Sequence, residues 1–392
     1  MTPSQKLFFS LVVVSFLLLM NSSGTSLFQL AEGRHVESFP KADSNNNSIL
    51  KKYALHDPIT VNNDTELAAI ANSGVGSAND PYIITGRNIT SSTTGGIYIT
   101  GTTKHFRIEK CRLSECGLGI FVENVASGTV TITNNTCINN SFYGIRVRDS
   151  DFSNITDNTC NSNEYSGIIL RSSSFSLLSN NTCSSNNEIG IHLLDSSSST
   201  VVNSTCSGNE YSGIDLQGSS SSTITDNICN SNGRNGTFLS SSGIILHSSR
   251  FSLLSNNTCD SNDEAGIQLI SSSSSIVVNN TCNRNGNSGI FLISSDSSTV
   301  INNSCNNNTD YGIYAFDHNN VTLINNICSD NDVADIYLYD SGPSLPPTTP
   351  TPTLITTPTT NVTPRDPSIA DRLFLFLIII GLLLIVLCIK KD

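Results

Sequence analysis

Nine cysteines carry the first chemical signal in this sequence. Cys137, Cys160, Cys183, Cys206 and Cys229 recur every 23 residues, and after a gap of 30 residues Cys259, Cys282, Cys305 and Cys328 resume the same spacing. Thiols can cross-link, hold soft metals or pack as small hydrophobes. Zinc or an iron–sulfur cluster needs several thiolates converging on one point. One thiol per 23 residues, with no Cys-x-x-Cys, does not supply that. Buried free thiols are therefore expected. Cys111 and Cys116 stand outside the period, with a local disulfide between them as the alternative, and Cys388 belongs to the C-terminal apolar run. No metal site and no cofactor are expected: His192, His247 and His318 fall in different columns, and removal of the N-terminal leader would leave no Met.

Two further sets of residues carry chemistry. Asn134, Asn180, Asn203, Asn256, Asn279 and Asn302 each begin Asn-x-Ser/Thr and stand three residues before a repeat Cys. Alternation points that position outward, where it is open to N-glycosylation. Asn46, Asn63, Asn88, Asn139, Asn154, Asn235, Asn307, Asn320 and Asn361 add further sequons. The positions nine and eleven after each Cys form the other set. Early repeats place Arg146, Arg148, Arg171, His192 and Asp215 there, and late repeats place Phe291, Ile293, Tyr314, Phe316, Tyr337 and Tyr339. Arg148 and Arg171 stacked as like charges need an anion or Asp149 between them. Exposed aromatic rows indicate a contact surface or a stabilising stack along the molecule. Phe291, Tyr314, Tyr337, Phe316, Tyr339, Arg146, Arg148 and Arg171 are the ligand-contact candidates, with no catalytic residue among them. A weak calcium site at Asp317, Asp335 and Asp340 is set against ordinary solvated acidic turns.

The spacing itself dictates what must position these residues. Aligned on Cys, the residue five earlier is always Ile, Leu or Val (Ile132, Ile155, Leu178 and so on). The residue two earlier is Asn, once Ser (Asn135, Asn158, Asn181, Ser204), and the residue three later is always Asn (Asn140, Asn163, Asn186). A Gly-Ile-x-Leu stretch follows, as in Gly190–Leu193, and then a Ser-rich turn. Each unit thus holds three short apolar stretches with period-two alternation, separated by turn residues. Such a unit is too short for two helices and cannot bury its own apolar face, so units must stack. The consistent solution is an all-β fold, a right-handed parallel β-helix of about ten coils of 23 residues. Like residues then pile up about 4.8 Å apart. The two Asn columns read as ladders that satisfy buried turn backbone, since Asn tolerates the left-handed conformation and its amide can bond the next rung.

With this pattern the chain resembles the parallel β-helix repeat proteins. That group includes pectin-lyase-like enzymes and the copper-site accessory protein of nitrous oxide reductase. Residues Asp57–Thr90 also resemble the lead-in segment of β-helical cell-surface proteins of archaea. The resemblance covers roughly residues 56–341. It implies the fold and leaves the function open. Pectin-degrading relatives need clustered acids with a basic residue or His on one sheet face. The triplet Asn308-Thr309-Asp310 superficially matches one hydrolase motif, but Asn308 belongs to a ladder and the partner motifs are missing downstream.

Seven segments follow. Residues 1–26 read as a signal peptide, with Lys6 before the apolar run Leu7–Met20. Residues 27–55 are irregular. Residues 56–110 hold the lead-in and N-cap, where Asp64 or Thr65 is expected to cap a helix over Glu66–Ser73 ended by Gly74, lidding the first coil. Residues 111–342 are the repeats, interrupted by an insertion at 234–240 that can overhang the outward face. Residues 343–368 form a Pro/Thr-rich stalk, residues 369–389 a transmembrane helix, and residues 390–392 a cytoplasmic tip. Charged residues make up only 13% of the 392, and the net charge of −12 with no basic tract excludes nucleic acid as a partner. The expectation is a membrane-anchored cell-surface protein with a structural, adhesive or glycan-contacting role. Its partners would be the membrane, surface glycans or envelope proteins. The alternatives are a polysaccharide-binding or -modifying β-helix and a metal-site accessory module.

Overall fold

The computed structural model describes residues 54–91, 95–234 and 241–339. The leader, stalk, membrane helix and cytoplasmic tip expected from the sequence lie outside the described residues, as does most of the insertion. Among the described residues no helix is long and apolar enough to cross a membrane.

Three parallel sheets run along one axis. The longest has twelve strands, from Ile59–Val61 through Ile145–Arg148, Ile168–Arg171 and Ile191–Leu194 to Ala334–Tyr339. The second has eleven, from Tyr82–Thr85 to Thr322–Ile324. The third starts with four short strands ending at Thr136–Ile138 and continues as single bridges, Thr136 to Thr159 to Thr182 to Thr205. Register is one repeat per rung: Ile168 pairs with Ile191, and Ile191 with Ile214. The expected count of about ten coils agrees with sheets of eleven and twelve strands to within one or two rungs. The segment 56–110, read as a lead-in, already coils, and its strands Ile59–Val61 and Ile97–Thr100 pair in the long sheet. It does so without the Cys spacing, so the repeat could not reveal it.

Alternation decides which side chains enter the core. In the long sheet Ile145 and Val147, Ile168 and Leu170, and Ile191 and Leu193 point inward and are fully buried. Each such residue contributes about 1.5–3 kcal/mol over its exposed state. The column cysteines from Cys137 to Cys305 are equally buried, and all are free. Burial pushes the thiols of Cys137 and Cys183 well above their ordinary range.

The corners are closed by side-chain ladders. Asn163 donates from its backbone N–H and its Nδ2 to Asn186 Oδ1, each at 3.0 Å, and Asn186 repeats this toward Asn209. The second column, Asn135 to Asn158 to Asn181, does the same, and Asn181 Nδ2 also reaches Ile155 O at 2.9 Å. Each buried turn amide is thereby satisfied. Two serine ladders accompany them. Ser150 N–H donates to Ser173 Oγ at 3.1 Å and Ser173 N–H to Ser196 Oγ at 3.0 Å, with a parallel ladder from Ser153 through Ser176 to Ser199.

Cys111 and Cys116 prove to be ladder residues. Cys111 N–H donates to Asn135 Oδ1 and Cys116 N–H to Asn140 Oδ1, each at 3.0 Å. They start different ladders at opposite ends of strand Arg112–Ser114, and both thiols are free, which replaces the local disulfide. The Gly of Gly-Ile-x-Leu is fixed by close approach: a Cβ on Gly190 would lie 2.5 Å from Gly213 O and 2.8 Å from Cys206 Cβ.

The N-terminal helix α1 spans Asp64–Ile70, not Glu66–Ser73. Its cap is Asn63, whose side chain accepts from Glu66 N–H at 2.9 Å, while Glu66 Oε2 accepts from Asn62 N–H at 2.8 Å. Asp64 instead holds Thr103 through backbone and hydroxyl bonds of 2.7 Å, so it anchors the helix to the coil rather than capping it. The helix stops at Ala71, which turns extended and sends Asn72 N–H to Ile83 O. Leu67 is the helix residue buried in the core.

Candidate functional site

The outward side of the long sheet carries the candidate residues, and the structure separates them into two groups. At the N-terminal end Tyr98, Phe121 and Arg146 pair in successive rungs of one column. Tyr98 stacks on Phe121 with ring centres 5.1 Å apart. The Arg146 guanidinium lies 5.0 Å from the Phe121 ring centre and 5.7 Å from that of Tyr143. These are cation–π distances, and the planar guanidinium suits them better than an ammonium would. Burial pulls the Arg146 pKa below its ordinary value, yet the group stays charged. A hollow of about 430 Å³ opens beside the stack, lined by Pro58, Thr60, Gly95, Ile97, Tyr98, Leu118 and Phe121.

Arg148 and Arg171 stand opposite each other in adjacent rungs, as the spacing requires. The anion that the stack needs comes from two sides. Arg148 pairs with Glu123 on the preceding rung and, at 3.3 Å, with Asp149. Glu123 also accepts from the Tyr98 hydroxyl, which raises the Tyr98 pKa. Asp149 was legible as a partner; Glu123 was not, because it precedes the first period. Arg171 is exposed, and among the described residues neither Arg146 nor Arg171 has a carboxylate ion-pair partner.

In the Arg146 column Ile169 comes next, and His192 and Asp215 occupy the two rungs after it. Asp215 is only 8% exposed, and its Oδ1 has no hydrogen-bond partner. Burial lowers the His192 pKa against the opposing pull of Asp215. Asp215 is enclosed, and His192 beside it is half-buried.

The aromatic group lies at the far end. Phe291 stacks on Tyr314 at 5.0 Å and 5°, and Phe316 on Tyr339 at 5.2 Å and 4°. Tyr314 meets Tyr337 at 5.6 Å. Phe291 is only 8% exposed, which corrects the expectation of an exposed row: Gln268 and Tyr314 flank it on the adjacent rungs. Burial pushes the Tyr314 hydroxyl up to about 12. The rings spend most of their faces on one another, and Tyr337 and Tyr339 on the last coil are the exposed members.

All six sequon asparagines of the repeat are exposed and sit at left-handed turns, with φ between 51° and 56°. Asn180 Nδ2 bonds Asp157 and Asn203 Nδ2 bonds Asn180, so the column is partly self-paired. Asn308 is a ladder residue, as expected, donating to Asn331 Oδ1. Asp317 accepts from Ser294 and Asp335 from Asn331, and Asp340 lies outside the described residues. Among the described residues no three His, Cys, Asp or Glu converge on a metal-sized point.

Comparison with known proteins agrees with this architecture. No curated protein matches the chain. Among solved structures it is similar to the A-module of mannuronan C-5 epimerase AlgE6 of Azotobacter vinelandii, at 12% identity over 76% of this chain and 93% of that one, with a TM-score of 0.46. It is also similar to the surface adhesin PfbA of Streptococcus pneumoniae (13%, 68% and 76%, 0.41) and to an alginate lyase of Paenibacillus (14%, 73% and 98%, 0.37). The model of the right-handed β-helix region matches residues 44–159, 118–252 and 237–349. Coil by coil, in sequence and in structure, the chain belongs to the right-handed β-helix family.

Proposed function

We propose that the protein is a non-catalytic cell-surface β-helix that binds anionic polysaccharide along the N-terminal half of its long sheet. The observation that carries this reading is a pair of guanidinium groups, Arg146 and Arg171, without ion-pair partners among the described residues of a chain whose net charge is −12. Aromatic rings and a hollow stand at the Arg146 end. Guanidinium groups pair with carboxylates in bidentate fashion, and ring faces take the apolar side of a sugar. A parallel sheet offers a flat, extended track suited to a chain rather than a small molecule. Tyr337 and Tyr339 supply a second, uncharged contact at the other end. In this reading residues 1–26 direct export, the run 369–389 anchors the chain, the stalk holds the β-helix away from the membrane, and the exposed sequons carry glycans.

The test is binding of polygalacturonate, alginate and neutral dextran to the full chain and to an Arg146→Ala/Arg171→Ala variant. The reading predicts binding of the two acidic polymers only, weakened by salt and lost by about tenfold or more in the variant. Equal affinity of both proteins, or equal binding of dextran, would contradict it.

Modification of the polysaccharide is the second reading, favoured by the His192–Asp215 pair one rung beyond the Arg171 strand. The burial of Asp215 speaks against access of substrate to that carboxylate. Appearance of unsaturated or epimerised uronate, abolished by His192→Ala, would establish it.

A further inference from the structure

A separate column of the β-helix is unexplained by its own packing. It runs along the turn between the long sheet and the second sheet. Backbone hydrogen bonds fix its order as Gly128, Phe152, Phe175, Ser198, Ser221 and Phe251, and then Ser274 and Ser297, each N–H reaching the carbonyl just before the next member. Every member has positive φ, between 54° and 76°. Serine and glycine suit that conformation; a bulky ring there is an outlier. Yet Phe152, Phe175 and Phe251 occupy it with 53%, 52% and 59% of their surface exposed. Phe152 and Phe175 stack at 4.9 Å and 9°, and Phe251 carries the Arg250 guanidinium at 5.3 Å. Between Phe175 and Phe251 the two serines leave a notch about three rungs, or roughly 14 Å, from ring to ring.

Over the six rungs from Gly128 to Phe251, the order of large and small side chains is its own complement when reversed. A two-fold axis across the column, between the rungs of Phe175 and Ser198, sets Phe175 against Ser198, Phe152 against Ser221 and Phe251 against Gly128. Such an axis lies in the contact plane, so each column faces the same column of the second copy. In the neighbouring column two of the three pairs follow the same rule: the strand register sets Leu177 against Thr200 and Leu253 against Thr131, while Asn154 meets Thr223, polar against polar. Arg250 then falls one rung from Asp151 of the second copy, an opposite charge. We propose that this turn edge binds a second copy of the chain, antiparallel, with the phenylalanine pair of each copy seated in the serine notch of the other.

Six rungs span about 24 Å, and a turn edge buries on the order of 300–400 Å² per copy, below the roughly 800 Å² of a stable interface. The contact is therefore weak and reversible, and gains strength only where many copies face each other. An antiparallel pair sends its two C-termini in opposite directions. Resting on the anchor proposed above, this makes the contact a bridge between two surfaces rather than a pairing within one.

Sedimentation velocity of the full chain in mild detergent, up to about 0.5 mM for a weak contact, tests the pairing. Wild type is expected to show a reversible monomer–dimer equilibrium. Phe175→Ser and Ser198→Phe each break the size match and should weaken dimerisation at least tenfold. The double variant Phe175→Ser/Ser198→Phe restores the match in swapped order and should return to within about threefold of wild type. A monomer at every concentration overturns the proposal. So does a double variant no better than the singles, the result expected if the rings take an unrelated partner or cluster non-specifically. Matching thermal midpoints for all four proteins show that folding is not what is being read. The anchor is tested apart: chains in single-copy nanodiscs should pair disc to disc, and a dimer that forms without joining discs contradicts the anchor alone.

Discussion

Asn186 Oδ1 accepts two hydrogen bonds from Asn163, one from its backbone N–H and one from its Nδ2, across a sequence distance of 23 residues. One side-chain oxygen thus satisfies the corner of one coil and ties it to the next. The bond repeats from Asn140 to Asn331, so the corner column is a continuous amide chain inside an apolar wall.

Removing one link should be felt at once. Asn186→Ala leaves the buried Asn163 N–H and one Nδ2 hydrogen of Asn163 without their acceptor, and Asn209 Oδ1 keeps only the backbone N–H of residue 186 as donor. Each group left unpaired costs about 1–3 kcal/mol. Denaturant unfolding should show a clear fall in midpoint, whereas Asn187→Ala, at a half-buried turn position outside the ladder, should change it little. Equal midpoints for the two variants would mean that the ladder contributes nothing.

Gly190 should tolerate no side chain. The added Cβ of Gly190→Ala meets two backbone oxygens, Gly213 O at 2.5 Å and Cys183 O at 2.8 Å, which cannot rotate away. A loss of about 3 kcal/mol or more, or failure to fold, is expected. Gly95→Ala, whose nearest neighbour would be an ordinary 3.7 Å contact, should cost less than about 1 kcal/mol. Similar midpoints for both would contradict the close stacking of coils.

Much of this was legible in advance, and the reasons are physical. A position that faces inward on every coil admits few residue types, so Cys, Asn and Gly recur at fixed spacing and the columns can be read directly. The serine ladders were hidden because Ser fills both inward and outward turn positions, and only the backbone shows that Ser150 and Ser173 point in while Ser174 does not. Asn63 as helix cap was obscured by three neighbouring capping residue types. The Tyr98–Phe121–Arg146 stack begins before the first period, where no Cys numbers the column. Phe152, Phe175 and Phe251 are hard to read from sequence because they stand among serines in what composition reads as a loop.

One carboxyl should make stability depend on pH. Burial raises the Glu188 pKa from its ordinary 4.5 to about 7, against the opposing bond from Ser166 Oγ. A raised carboxyl favours the folded state while protonated. Its contribution is complete below pH 4.5 and is lost as pH rises through about 7. The side chain is half-buried, so the effect is on the order of 1–2 kcal/mol after solvent screening. Glu188→Gln should flatten the stability profile between those pH values. An unchanged slope in the variant would assign the dependence to other groups.

The central structural claim is that like residues stand in vertical columns sealed from water. Peptide-resolved alkylation of the intact chain by iodoacetamide reads this most directly. Cys111, Cys116 and the column from Cys137 to Cys305 are buried, and burial moves the Cys111 thiol up to about 11. These ten thiols should stay unmodified in native protein at neutral pH and all react in guanidinium. Native labelling of two or more of them at the rate of an unfolded control would contradict it.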